Sequence, residues 1–296
     1  MDIIAVIGAG TMGNGIAHAF AARSFEVRLV DVRTEALEKA MATIDKNLDR
    51  QQKKELITEA EKQHTLQRIS THSRLEEAVA DATLVVEAAT ENSSIKTQLF
   101  QRLSEVCDEE AILATNTSSI SITKIAAATP RPERVIGMHF MNPVPVMPLV
   151  EIINGYGTAT AVTQRIVDLV KQLDKTPLVV NDYPGFVANR ILMPMINEAI
   201  IALHEGVAGV YEIDQIMKLG MAHPMGPLKL ADFIGLDVCL FIMRVLYEGL
   251  GKDKYAPCPL LVNMVEAGRL GIKSGEGFYD YSGGPKSEQI AGRFAG

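Results

Sequence analysis

The chain has 296 residues, more than one ordinary hydrophobic core holds, so two domains are expected. A formal net charge of −7 argues against a general nucleic-acid binder, and no apolar run reaches the ~18 residues that a membrane span needs. Three widely spaced cysteines, Cys107, Cys239 and Cys258, point to free thiols in a reducing compartment, best met by the cytoplasm, rather than to a disulfide frame or a metal site.

The first apolar run, Ile3–Ile7, reads as a strand that ends in glycines. It starts almost at Met1, which leaves no room for a targeting peptide. Residues 12–23 are alanine-rich and helical in pattern, and residues 27–30 form the next strand, which ends at Asp31. Residues 34–67 are long, polar and charged, and read as two helices folded into an antiparallel hairpin. Residues 84–88, 111–114 and 135–139 read as buried strands, with a helix over Ser93–Val106 between the first two. Short apolar runs alternating with helices imply βαβ units and a mainly parallel sheet. Residues 149–153 and 178–180 are expected to extend that sheet, separated by a helix near 162–173. After Tyr183-Pro184-Gly185 the pattern turns helical, over about 186–204, 210–219, 236–247 and 259–266. The Pro-Gly pair is a hinge candidate, and the predicted domains are 1–182 and 183–296. The Gly/Ser-rich tail after Tyr281 is expected to be loose.

Gly8-Ala9-Gly10-Thr11-Met12-Gly13 fits the G-x-G-x-x-G pattern in the context that gives it meaning, after a strand and opening a helix. Gly8 permits the tight turn, Gly10 lets a pyrophosphate approach the backbone, and Gly13 lets the helix pack on the sheet. Gly8, Gly10, Thr11, Met12 and Gly13 are therefore predicted to bind a nicotinamide dinucleotide through backbone N–H groups at the positive helix end. Asp31 stands where a carboxylate accepts from both ribose hydroxyls and repels a 2′-phosphate, which favours NAD over NADP. Arg33 works against strict selectivity, since arginine accommodates that phosphate.

His139 ends one predicted strand, and Glu151 begins another after the proline-rich turn Asn142-Pro143-Val144-Pro145. Such a pair of strands places imidazole and carboxylate side by side. Oxidation of an alcohol by hydride transfer needs a base near neutral pH, and a carboxylate on the second ring nitrogen fixes the tautomer. A structural histidine and a solvated strand charge are the competing reading of this spacing. Asn116-Thr117-Ser118-Ser119 forms a polar turn at the carboxyl end of a strand, where ligands bind in such sheets. Ser118 is a candidate partner for a substrate oxygen, while Ser119 or Ser121 suits a helix cap.

Together these stretches resemble the 3-hydroxyacyl-CoA dehydrogenases, and more closely the compact bacterial 3-hydroxybutyryl-CoA dehydrogenases. The resemblance continues through Val86-Glu-Ala-Ala-Thr-Glu91, His139-Phe-Met-Asn-Pro-Val-Pro145, Pro184-Gly-Phe-Val-Ala-Asn-Arg190, Pro224-Met-Gly-Pro-Leu228, Asp232-Phe-Ile-Gly-Leu-Asp237 and Gly275-Glu-Gly-Phe-Tyr279, over nearly the whole chain. It implies a Rossmann-type doubly wound α/β sheet with a helical-hairpin insertion, followed by an all-α C-terminal domain that binds substrate and forms a homodimer. It implies NAD-dependent oxidation of a (3S)-3-hydroxyacyl-CoA, short in chain, in fatty-acid or butanoate metabolism, with no metal. His139 is then the catalytic base and Glu151 its partner, while Ser118 and Asn189 hold the reacting oxygen. Glu91, Lys96, Asn116, Ser118, Asn142 and Lys273 join the cofactor contacts, with an exposed helix lysine as the plain alternative for Lys96. Arg50 and Lys54, four apart on the hairpin, are implied to bind the phosphates of coenzyme A, against the alternative of a solvated helix face. A sugar-acid dehydrogenase of the gulonate type and a non-catalytic NAD-binding scaffold remain the rival readings.

Overall fold

The computed structural model describes residues 2–295. Tertiary contacts divide the chain into two units, one up to Tyr183 and one from Pro184.

The first unit is built on a sheet of eight strands among the described residues: β1 (Ile3–Ile7), β2 (Glu26–Val30), β3 (Ile69–His72), β4 (Leu84–Glu87), β5 (Ile112–Thr115), β6 (Val135–Phe140), β7 (Leu149–Asn154) and β8 (Thr176–Asn181). Their order is β3-β2-β1-β4-β5-β6-β7-β8, and every pairing is parallel except β6 with β7. The helices are α1 (Thr11–Ala21), α2 (Thr34–Lys53), α3 (Glu59–Gln67), α4 (Leu75–Val79), α5 (Ser93–Val106), α6 (Ile122–Ala126) and α7 (Thr160–Gln172). All four residues of β4 and all six of β6 are buried, as expected of strands covered on both faces. The core joins Ile4, Val6, Leu29, Val86, Ala114 and Ile136 of the sheet to Ile16 and Phe20 of α1 and to Ile44 and Leu48 of α2.

The hairpin insertion has two identifiable causes. Thr58 caps α3, accepting from the Glu61 amide while the Glu61 carboxylate accepts from Thr58 N–H at 2.7 Å. Lys62 of α3 then reaches Asp45 and Asp49 of α2, at 2.8 and 2.5 Å. Strand β3 escapes sequence pattern because only its first residue, Ile69, is buried, at the sheet edge beside β2. Helix α6 spans only five residues, too few to show a helical period.

The second unit is helical: α8 (Ala188–His204), α9 (Val210–Gly220), α10 (Pro227–Ile234), α11 (Leu236–Leu250) and α12 (Pro259–Glu266). Helix α10 has no counterpart among the predicted elements, because turn residues on both sides disguise its two turns of periodicity. Two buried carboxylates wire this unit together. Asp214 accepts from the Leu228 and Lys229 amides that open α10 and from the Tyr279 hydroxyl. Asp232 accepts from the Phe278 and Tyr279 amides and from the Tyr281 hydroxyl. A Cβ on Gly226 or Gly277 would lie within 2.2 Å of those two acids, which explains both glycines.

The tail corrects an expectation. Residues 290–294 are packed rather than loose. Ile290 bridges to Tyr279, Ala291 N–H donates to the Phe278 carbonyl at 3.0 Å, and the Phe294 ring lies 5.6 Å from that of Phe278. The anchors are three apolar residues in a polar stretch, and their partners lie outside any local period. All three cysteines are free and buried, and no described helix is long and apolar enough to cross a membrane.

Candidate active site

The parallel strands of the first unit deliver the predicted residues at their carboxyl ends, where a doubly wound sheet leaves its ligand crevice. Gly8 leaves β1 at φ +100°, a conformation that favours glycine. A Cβ on Gly13 would sit 1.7 Å from the Gly8 carbonyl oxygen, so α1 packs closer to the loop than any side chain permits. At Gly10, by contrast, a Cβ meets nothing within 4 Å, and the backbone lies open. Gly10 is also the N-cap of α1 and brings no side chain to the amides of Thr11, Met12 and Gly13. An open backbone beside uncapped helix amides fits the pyrophosphate of a dinucleotide.

Asp31 follows β2 and closes on the same loop. Its Oδ2 accepts from Ala9 N–H at 2.9 Å and its Oδ1 from Arg33 N–H at 3.0 Å. The Arg33 guanidinium lies 3.5 Å from Asp31 and is largely exposed. Asn142, joined to Pro143 by a cis peptide bond, lines a cleft of about 590 Å³ with Gly10, Thr11 and Arg33. Lys39, Thr43 and Asn47 form the α2 wall of this cleft. Their spacing of four puts them on one helix face, a signal in the sequence that went unread. Arg50 donates to Asn47 Oδ1 at 3.3 Å, and Lys54 caps the end of α2, both exposed.

A second network joins the ends of β4 and β5. Lys96 of α5 is 2% exposed, so it is not a solvated helix lysine. Its ammonium pairs with Glu87, the fully buried last residue of β4, and sits 3.7 Å from Glu91. Glu87 also accepts from the Thr115 hydroxyl and the Ala89 amide, each at 2.8 Å. Glu91 in turn accepts from the Ser118 amide at 2.6 Å, the Ser118 hydroxyl at 2.8 Å and the Thr117 hydroxyl at 2.9 Å. Glu87 and Thr115 were not singled out in the sequence, although a carboxylate inside a buried parallel strand demands a partner. Asn116 accepts from Phe140 N–H at 2.9 Å, and so ties the end of β5 to the residue beside His139. Ser121 rather than Ser119 caps α6, accepting from the Lys124 amide.

His139 and Glu151 are direct register partners across the antiparallel β6–β7 pair. His139 Nδ1 lies 2.7 Å from Glu151 Oε2, both residues being buried. A carboxylate at Nδ1 calls for the N–H there, which puts the lone pair on Nε2. That is the orientation of a general base held by an acid.

Asn189 and Lys273 belong to the second unit. Asn189 is the second residue of α8 and is buried. Lys273 lies in a short 3₁₀ turn and pairs with Asp237.

Comparison with known proteins gives a consistent result. Residues 3–183 match the model for the 3-hydroxyacyl-CoA dehydrogenase NAD-binding domain, and residues 185–281 match that for the 3-hydroxyacyl-CoA dehydrogenase C-terminal domain. The chain is 55% identical over 280 residues to a 3-hydroxybutyryl-CoA dehydrogenase of Bradyrhizobium diazoefficiens, covering 95% of each. It is 55% identical to a probable 3-hydroxybutyryl-CoA dehydrogenase of Bacillus subtilis, covering 94% of this chain and 96% of the relative. The crystal structure of an (S)-3-hydroxybutyryl-CoA dehydrogenase from Ralstonia eutropha superposes with a TM-score of 0.93 at 50% identity, over 95% of this chain and 99% of that one.

Proposed function

Since the chain belongs to the 3-hydroxyacyl-CoA dehydrogenase family, we propose that it catalyses the reversible NAD-dependent oxidation of short (3S)-3-hydroxyacyl-CoA thioesters, such as 3-hydroxybutyryl-CoA, to 3-oxoacyl-CoA. The observation that carries this reading is the buried His139–Glu151 pair, in the same sheet whose first strand ends in a glycine loop suited to a dinucleotide. When bound, NAD supplies the acceptor for the hydride that leaves C3. His139 Nε2 takes the hydroxyl proton in oxidation and returns it in reduction. Glu151 holds the ring in that tautomer and favours the imidazolium that forms. Ser118 orients the C3 oxygen, and Glu91 fixes Ser118. To Asn189 we assign a second contact to that oxygen. Asp31, Glu91, Lys96, Asn116, Asn142 and Lys273 complete the proposed cofactor contacts, with Lys96 acting through the carboxylates it neutralises. Arg50 and Lys54 are assigned to the phosphates of coenzyme A, and their exposure on α2 and at its end supports this.

The finer assignments belong to the same proposal. Residues up to 182 bind the cofactor, and those from 183 bind substrate and form a homodimer. Exposed apolar residues of the second unit support pairing, among them Ile216, Leu219, Met221 and Phe233. Free buried cysteines support the cytoplasm.

A steady-state assay tests the reading. Acetoacetyl-CoA with NADH is expected to turn over far faster than acetoacetate or a sugar acid. His139→Ala is expected to cut turnover by roughly 10²–10⁴-fold while NADH binding is kept. Failure to turn over acetoacetyl-CoA, or loss of NADH binding in a folded His139→Ala protein, contradicts it.

A further inference from the structure

The loop between β6 and β7, residues 141–148, joins the histidine strand to the glutamate strand and also forms one wall of the cleft beside the glycine loop. Asn142, Pro143, Val144 and Pro145 supply that wall. Two of its features are internal: the Val146 and Met147 amides both donate to the Pro143 carbonyl, at 3.0 and 2.9 Å. Its attachment to the rest of the unit comes from two sides. On one side Val144 is buried against α1, where a Cβ on Gly15 would lie 2.9 Å from Val144 Cβ. On the other side stands Lys175, in the turn between α7 and β8. Its ammonium donates to the Val144 carbonyl at 2.6 Å and to the Met147 carbonyl at 2.7 Å. The next amide, Thr176 N–H, donates to the Pro148 carbonyl at 2.7 Å, so the turn follows the loop closely.

We infer that Lys175 is a positioning residue for the cofactor: it holds the 141–148 loop against α1 and so sets the cleft wall that carries Asn142. The chemistry supports a clamp rather than a surface cation. The side chain is half-buried, and burial with Arg23 nearby holds its amine below the usual lysine range. A desolvated ammonium costs free energy unless its protons are taken up, and here two loop carbonyls take them. Those two carbonyls sit at opposite ends of the bend formed by Val144 to Met147, so one cation closes the loop on itself as well as on α7 and β8. His139 and Glu151 do not depend on this clamp. They are paired within four consecutive register positions of β6 and β7, from Gly137↔Ile153 to Phe140↔Val150. Loosening the loop therefore acts on the cleft wall first and on the proton-transfer pair little.

The inference rests on the dinucleotide reading of the glycine loop, and its test reads cofactor binding and loop mobility without any acyl-CoA. In Lys175→Met, which keeps the aliphatic stem but loses both hydrogen bonds, the Kd for NADH measured by fluorescence titration is expected to rise about tenfold, because only part of their free energy is transmitted to the cleft wall. Hydrogen exchange of the cofactor-free protein should quicken at the Val146 and Met147 amides and stay unchanged in β6. Lys175→Arg, which keeps the charge and offers N–H donors for both carbonyls, should return the Kd to within about threefold of the parent, the range a retained but displaced donor allows. In steady state, KM for NADH should rise in Lys175→Met while the pH profile of kcat keeps its shape. Should Lys175→Met not fold, Lys175→Gln, whose amide donates without a charge, is expected to lie between the parent and a tenfold loss. A parent-like Kd in Lys175→Met, or equal weakening in Lys175→Met and Lys175→Arg without faster loop exchange, overturns the inference. If NADH binding follows this pattern while acetoacetyl-CoA is not turned over, the substrate assignment fails and the clamp stands.

Discussion

At the scale of single residues, environment separates histidines that composition cannot tell apart. His139 faces a carboxylate at 2.7 Å across a strand pair. His18 lies in α1 with a buried Nδ1 that finds no hydrogen-bond partner among the described residues. Burial, with a smaller effect from the Lys175 charge, pulls the His18 imidazole from 6.5 down to about 4. The native state therefore keeps His18 neutral where the unfolded chain already binds a proton. This contribution to stability is present above pH 6.5 and is lost as pH falls toward about 4, up to roughly 3 kcal/mol in all. His18→Gln should flatten that acid limb. Urea midpoints at pH 7 and pH 5 decide it, and an unchanged difference between them counts against the assignment. Lys96 teaches the same lesson with opposite sign. It is buried as deeply as His18, but its side chain pairs with Glu87 and lies 3.7 Å from Glu91.

At the scale of elements, the strand–loop–helix of β1 and α1 shows that two glycines of one motif answer to different constraints. Gly13 is required by packing, since its Cβ would meet the Gly8 carbonyl oxygen at 1.7 Å and nothing there is a yielding side chain. Gly13→Ala is expected to destabilise the first unit by about 1–3 kcal/mol, by forcing α1 away from the loop, and to lose NADH binding. Gly10 has open space beside it. Gly10→Ala should unfold at the parent urea concentration yet bind NADH more weakly, because its methyl group occupies the approach of the pyrophosphate. Equal loss of stability in both variants contradicts this division. The hairpin of α2 and α3 was legible from charge and length, and the structure adds a local signal, the capping box of Thr58 and Glu61. Strand β3 was not, because pairing with β2, rather than its own pattern, makes it a strand.

At the scale of the whole molecule, each unit is closed by contacts far apart in sequence. In the second unit, Asp232 reaches Phe278, Tyr279 and Tyr281, and the tail returns through Ala291 and Phe294 to Phe278. Removing residues 283–296 should therefore lower stability by about 2 kcal/mol, chiefly from the lost burial of Ala291 and Phe294. Chemical denaturation measures it, and a truncated chain as stable as the parent would restore the loose-tail expectation. Pairing of two copies through the second unit should show as twice the chain mass in light scattering, and substitution of Leu219 by a charged residue should shift it toward the monomer.

The sequence by itself determined the parts governed by local period and local steric need. The glycine loop, the strand–helix alternation, the helical second unit and the His139–Glu151 pairing all follow from spacing along short segments. Two strands joined by a short turn could place imidazole and carboxylate side by side, and the β6–β7 register leaves His139 and Glu151 opposite one another. Tertiary structure alone decided which polar groups are buried and what satisfies them. Lys96 against Glu87, Glu91 against Ser118, Lys175 against two loop carbonyls, and the tail against Phe278 all join separate elements. The physical reason is common to them. Periodicity says which face of an element turns inward, but the partner that neutralises a buried charge or covers an apolar ring is supplied by another element, and its identity exists only once the chain has folded.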